Sequence, residues 1–195
     1  DHTSVMKIWM HKRIDELARS NLDGYVFAKD SPSCGLFRVK IYNDNDQLIK
    51  KNGRGLFSDA LARKLLNLPM EENGRLNDPR IRENFIEQVF VYKRWTELLK
   101  QGRQPKNLVD FHSKIKLTLM SHSVVHYREA GQIIARAGTD DWRVITREYE
   151  TVLMAAMQSL ATSKKHANAL QHAMGMLKKD LSSIFLTNCS FCDQP

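Results

Sequence analysis

The sequence predicts an α+β chain: a mixed segment of short strands and helices over residues 1–100, followed by an all-α helical bundle over 107–186. Two observations carry that reading. Between residues 20 and 55, short apolar or alternating runs (Tyr25–Ala28 and Phe37–Tyr42) are separated by Pro and Gly turns, the texture of strands and tight connections. Beyond Gln101-Gly102-Arg103-Gln104-Pro105-Lys106, a polar stretch with both Gly and Pro, the apolar residues recur at helical spacing to the end of the chain.

Taken in order, Thr3 or Ser4 caps a first helix whose Val5, Ile8, Trp9, Ile14, Leu17 and Ala18 are expected on one apolar face. The two runs at 25–28 and 37–42 then flank Asp30-Ser31-Pro32-Ser33-Cys34-Gly35, which places a thiol on a turn between two strands. Rigid elements that fix a loop are where chemistry tends to sit, although an ordinary buried cysteine is the plain alternative. A polar turn at Asn43–Asp46, Leu48-Ile49 and a basic run follow. Gly53-Arg54-Gly55 then opens a helix at Leu56; such a turn can offer N–H groups to an anion, with Arg54 as the phosphate contact, but with only two glycines a plain loop-to-helix turn is the favoured reading. Glu71–Asn77 reads as a polar loop. Asp78-Pro79 is a cap and first-turn pair for a helix running to about Lys100. Its inward residues are expected to include Ile81, Phe85, Ile86, Val89, Phe90, Leu98 and Leu99, with Arg80, Arg82, Lys93 and Arg94 outside.

After the break, Asn107 is expected to cap a helix over 108–120. Ser121-His122-Ser123 interrupts and recaps, and helices over 124–137, 140–161 and 164–185 complete a four-helix bundle.

The chain of 195 residues has a formal charge of +8 and a pI near 9.5. Residues 1–100 carry 18 Lys+Arg against 14 Asp+Glu, and residues 101–195 carry 12 against 8, so each half is +4. Such a balance fits a polyanion partner, or simply a solvated basic surface. No run approaches the roughly 20 apolar residues needed to cross a bilayer, and the first residues lack a signal-peptide pattern, so no membrane role is expected. The chain opens without Met inside a helical pattern, which reads as a piece whose natural start lies upstream. The cysteines are Cys34, Cys189 and Cys192; an odd number without a secretion signal points to a reducing, cytoplasmic compartment rather than a disulfide framework.

Longer runs carry a resemblance. Leu22–Lys29 leading to Ser31-Pro32-Ser33-Cys34-Gly35, then Gly53-Arg54-Gly55-Leu56-Phe57 and Glu71–Phe85, resemble the back half of the thiouracil desulfurase domain. Phe111–Ser123, Tyr127-Arg128-Glu129-Ala130-Gly131 and Leu170-Gln171-His172 resemble the YbgA-type helical domain. The resemblance covers nearly the whole chain. It implies the C-terminal part of a desulfurase-like α/β domain over 1–100 and a YbgA-like, tRNA-binding domain over 107–186; composition makes 101–106 a linker and the polar stretch 187–195 a mobile tail. The resemblance further implies removal of sulfur from 4-thiouridine in tRNA by a 4Fe-4S cluster on three cysteines, whose open iron takes the thiocarbonyl sulfur. That donor choice is chemically apt, since thiolates suit iron–sulfur clusters. Cys34 matches one cluster-ligating cysteine, and Ser31 matches a serine beside the substrate. The family's other two cluster cysteines and a nearby acidic residue fall upstream of Asp1. A non-catalytic RNA-binding module without a complete cluster site is the alternative reading.

Cys189-Ser190-Phe191-Cys192 has the spacing of half a zinc or cluster site, or is an exposed thiol pair without a role. His112, His122, His126, His166 and His172 gather in the second half. His122 and His126 would share a helix face for a metal only if Ser123 did not interrupt. The RNA-contact candidates are Arg54, His112, Lys114, Lys116, His122, Arg128, Lys164 and Lys165; for each lysine and arginine a solvated helix face is the alternative. Tyr127 and Trp142 could stack on a base, but helical aromatics more commonly fill the core, and both are read that way.

Overall fold

The computed structural model describes residues 3–188 except Asp44 and Asp46, with side chains described from Ser4 to Lys179. The chain divides into two compact units, Asp1–Gly102 and Arg103–Pro195.

The first unit contains α1 (Thr3–Arg19), β1 (Tyr25–Phe27), β2 (Val39–Tyr42), β3 (Leu48–Gly53), α2 (Leu56–Lys64), β4 (Met70–Glu72) and α3 (Pro79–Lys100), with a 3-10 turn at Arg75–Asn77. Its core is Met10, Ile14 and Leu17 of α1, Phe27 of β1, Leu36, and Phe57 and Leu61 of α2, with Tyr25 and Cys34 packed against it. The face of α1 differs from expectation. Met10, Ile14 and Leu17 are buried, while Val5, Ile8 and Trp9 are 66%, 74% and 57% exposed. At 3.6 residues per turn the two sets lie on opposite sides of the helix, so they cannot share one face.

The strands flanking the Cys34 loop do not pair with each other. β1 runs parallel to β4, with Tyr25 opposite Met70 and Phe27 opposite Glu72. β4 falls where a polar loop was expected: Glu71 and Glu72 are 8% and 2% exposed, and two carboxylates disguise a buried strand. β2 forms an antiparallel hairpin with β3, with irregular register between Val39 and Ile41 and between Ile41 and Tyr42. In α3, Asp78 accepts the N–H of Arg80 and Pro79 takes the first position, as the sequence predicts. Val91, Trp95 and Leu98 form its buried stripe, whereas Ile86 and Phe90 are 47% and 57% exposed rather than inward.

The described residues of the second unit form four helices: α4 (Pro105–His122), α5 (Val124–Ala135), α6 (Trp142–Met157) and α7 (Ser163–Asn188). α4 packs on the other three, and α5 on α6. α6 carries the densest core face, burying Ile145, Thr146, Tyr149, Val152, Leu153, Met154, Ala156 and Met157. α4 opens at Pro105 with Gln104 as its cap, three residues ahead of the expected Asn107, because proline's missing N–H and fixed φ suit the first helical position. Ser123 does recap: it ends α4, and its hydroxyl accepts the N–H of His126 in α5. Tyr127 and Trp142 are half-buried rather than enclosed. α7 reaches Asn188, past the expected end at 185, while Cys189, Cys192 and the remaining tail lie outside the described residues.

Candidate functional site

The Cys34 loop is anchored at both ends by adjacent residues of one strand exit. At the entry, Asn73 Oδ1 accepts the N–H of Lys29 at 3.0 Å, and the Asn73 N–H is donated to Phe27 O at 2.9 Å. At the exit, one oxygen of the buried Glu72 carboxylate accepts the N–H groups of Leu36 and Phe37, each at 2.8 Å. Neighbouring Glu71 accepts from Arg75 Nε at 2.7 Å and from the Glu72 N–H at 2.9 Å. The Arg75 guanidinium also lies over the Phe37 ring, 4.8 Å from its centroid. The chain enters and leaves the loop through two left-handed residues, Asp30 (φ 59°) and Arg38 (φ 55°), an unusual conformation for a bulky arginine.

Within the loop the hydrogen bonds converge on the thiol. Gly35 N–H is donated to Ser31 O at 2.7 Å, and Cys34 N–H to Ser31 Oγ at 3.2 Å. Ser31 Oγ lies 3.1 Å from Ser33 Oγ, which lies 3.4 Å from Cys34 Sγ. A chain of hydroxyls thus runs from Ser31 through Ser33 to a half-buried sulfur. Ser31 therefore fixes the turn as well as standing near the thiol, and Ser33, which the sequence reading passed over, is its link to the sulfur. The Ser-Pro-Ser-Cys run held that signal. Burial raises the Tyr25 phenol above its ordinary pKa; negative charge on Cys34 pushes the same way, and Arg13 opposes it.

The Gly53-Arg54-Gly55 turn leads into α2 and supports the thiol loop. Gly55 N–H is donated to Gly35 O at 2.7 Å, and Phe57 N–H to Ser33 O at 2.8 Å. The Ser58 hydroxyl donates to Gly35 O at 2.7 Å. Two N–H groups at the start of α2 are therefore committed to the Cys34 loop instead of facing an anion. Gly55 is required here because a Cβ would come within 2.6 Å of the Cys34 amide nitrogen and closer still to the Ser33 carbonyl carbon. Arg54 itself is exposed.

In the helical unit the candidates separate by burial. Lys114, Arg128 and Lys164 are exposed, and Lys116 is half-buried. His112 is half-buried, its Nδ1 hydrogen-bonded with the Tyr149 hydroxyl at 2.9 Å. Burial pulls the imidazole below its ordinary pKa, and Lys116 adds to the effect. The same burial pushes the Tyr149 phenol far up. His122 is 1% exposed, and its Nδ1 sits 2.5 Å from Ser159 O. The Lys165 ammonium donates to His122 O at 2.8 Å and Leu160 O at 3.0 Å, closing the C-terminal end of α4. Among the described residues no group of three or more His, Cys, Asp or Glu side chains is placed to hold a metal ion, and Cys34 is the one cysteine. One thiolate with two serine hydroxyls does not fit a cubane cluster by itself.

Comparison with known proteins divides the chain along similar lines. Residues 1–73 match the family model of 2-thiouracil desulfurase, which points to sulfur removal. Residues 116–184 match DUF1722, a protein family of unknown function. A relative from Escherichia coli (strain K12), the uncharacterized protein YbgA, is 23% identical over 111 residues, 55% of this chain and 64% of that protein. The chain thus spans under two thirds of that relative's length. No solved structure matches. None of the described helices is long and apolar enough to cross a membrane. The chain thus joins a segment similar to 2-thiouracil desulfurase to a helical segment similar to DUF1722.

Proposed function

We propose that this chain belongs to a cytoplasmic desulfidase that removes sulfur from a thiolated uracil base, with 4-thiouridine in tRNA as the substrate. The observation that carries the reading is the Cys34 loop: a half-buried thiol approached by the Ser33 hydroxyl at 3.4 Å and anchored at both ends by Glu72 and Asn73. In this reading Cys34 supplies one ligand of a 4Fe-4S cluster, and the remaining ligands come from outside the described residues. A cluster of that kind would supply a thiophilic iron. The residues of this chain hold Cys34 in place, and Ser31 with Ser33 orients hydrogen bonds toward the sulfur and the adjoining base. The basic helical unit is the tRNA-binding part, with Lys114, Arg128 and Lys164 exposed for phosphate contact and Arg54 exposed on the first unit.

The test is anaerobic expression of the full-length protein and measurement of 4-thiouridine remaining in tRNA. Wild type is expected to deplete it and Cys34→Ser to leave it. An intact cluster with unchanged tRNA would sink the reading. The exposed cations of the helical unit also suit a second reading, a non-catalytic RNA-binding module. That module would bind tRNA with a steep salt dependence and purify without iron from the full-length protein.

A further inference from the structure

The first unit has a cleft that neither the family matches nor the thiol loop accounts for. It encloses about 600 Å³ and is lined by Lys29, Asp30, Pro32, Arg38, Val39, Lys40, Tyr42 and Lys51. One wall is the entry to the Cys34 loop, Lys29 to Pro32, and the other is the β2–β3 hairpin. Four cations face one carboxylate, and that carboxylate, Asp30, is engaged by Lys29 at 3.6 Å. Arg38, Lys40 and Lys51 are all exposed, and no ion pair joins them to another described residue.

Apart from the buried Val39, the hairpin turns its side chains to solvent. Lys40, Ile41 and Tyr42 of β2 and Leu48 to Asn52 of β3 are all exposed, and the hairpin's register shifts twice between Val39 and Tyr42. Bulges re-aim side chains and twist an edge ribbon out of plane. Here Lys40 and Tyr42 of β2 and Lys51 of β3 line the same cleft, and Arg38 joins them from a left-handed backbone position. Tyr42 is 51% exposed, a large ring left at the surface of a cationic groove. Cations that follow a backbone, combined with an exposed aromatic on which a base can stack, are the ingredients of a single-stranded nucleic acid groove.

We infer that the β2–β3 hairpin and the Lys29–Pro32 wall form a second RNA-binding surface, which grips the sugar-phosphate backbone of the strand bearing the substrate base. The inference rests on the desulfidase reading and deepens it: the substrate is a nucleotide within a polynucleotide, held on the first unit as well as on the helical one. The hairpin contributes charge and stacking, and the adjoining wall leads directly to the Ser31–Cys34 turn.

The test uses the full-length protein and a single-stranded oligoribonucleotide carrying one 4-thiouridine. Binding is followed by fluorescence anisotropy across a salt series. Lys40→Glu with Lys51→Glu is expected to weaken binding about tenfold or more at low salt and to reduce the slope of log affinity against log salt by about 2. Arg80→Glu with Arg94→Glu, an equal charge change on exposed positions of α3, is the control and should alter the slope far less. Equal losses in both variants, or no loss in the first, would overturn the inference. Near-ultraviolet irradiation of the wild-type complex supplies a second readout, because 4-thiouridine crosslinks to adjacent side chains. Adducts within residues 29–51 support the hairpin surface, and adducts confined to the helical unit refute it. Binding through the hairpin with no loss of sulfur would leave this inference standing and defeat the desulfidase reading.

Discussion

The carboxylate of Glu72 accepts the backbone N–H of Leu36 at 2.8 Å across thirty-six positions of sequence, and the same oxygen takes the next N–H, that of Phe37. With the side chain truncated, two N–H groups at the edge of the core lose their acceptor. Glu72→Ala is expected to cost about 3 kcal/mol, since hydrogen bonds to a charged group are each worth roughly 1.5–3 kcal/mol. Glu72→Gln keeps an acceptor oxygen and should cost less than half as much. Amide hydrogen exchange in the full-length protein checks this: Leu36 and Phe37 should lose protection in the alanine variant. Unchanged protection at both would refute the anchoring role.

Gly55 supports the thiol loop from behind. Gly55→Ala places a methyl group against the Ser33 carbonyl and the Cys34 amide, so the loop or the start of α2 must move. Overpacking of this kind costs about 1–3 kcal/mol. The expected result is a lower melting temperature together with a changed alkylation rate at Cys34. An unaltered rate would show that the loop does not depend on this contact.

Lys165 and Lys164 are adjacent but do different things. The Lys165 ammonium satisfies two backbone carbonyls, whereas Lys164 is exposed. Lys165→Met should destabilise the helical unit by roughly 1.5–3 kcal/mol per the strength of charged hydrogen bonds, with little change in the salt dependence of tRNA binding. Lys164→Met should do the reverse, reducing the salt slope by about 1 at unchanged stability. Measuring melting and binding on the same samples separates the two roles.

His112 gives the helical unit a pH dependence of predictable sign. Burial holds its folded pKa below the ordinary 6.5, with the Lys116 cation acting in the same direction and the neutral Tyr149 hydroxyl as its bonded neighbour. The unfolded chain therefore takes the proton first. The stability that a neutral His112 contributes is complete above the unfolded value and is lost as pH falls from there through the folded value. His112→Gln should flatten the decline in melting temperature between roughly pH 7.5 and 5.5, a window around the free histidine pKa. Tyr149→Phe removes one hydrogen bond, at a cost of about 1 kcal/mol. An identical decline in wild type and the glutamine variant would exclude His112 as the titrating group.

Much of this organisation was legible in the residues. Asp78-Pro79 and Ser123 announce their caps because capping is local chemistry, decided by side chains within three positions of the helix start. The four helices of the second unit were readable for the same reason, since a 3.6-residue period repeats within each. What escaped was long-range. β4 looked like a loop because Glu71 and Glu72 are charged, yet both are buried by partners that only the fold brings near, Arg75 on one side and the Leu36–Phe37 backbone on the other. The α1 face was misassigned because two apolar stripes lie on opposite sides of one helix, and only packing decides which of them the core takes. At the thiol loop, Ser31 and Cys34 could be named from the resemblance; the roles of Ser33, Gly55 and Glu72 needed distances.

The spacing of the loop's anchors has a consequence for the order of events in folding. Residues 31–37 are tied to Gly55, Phe57, Ser58 and Glu72, so the thiol site has no complete support until the chain through residue 72 has been made and folded back. Contacts of such sequence separation carry a loop-closure cost and tend to form after local helices. The site is thus expected to be a late arrival on the folding pathway of the first unit. Substitutions at Glu72 should then accelerate unfolding much more than they slow folding, since they weaken interactions the transition state has not yet made.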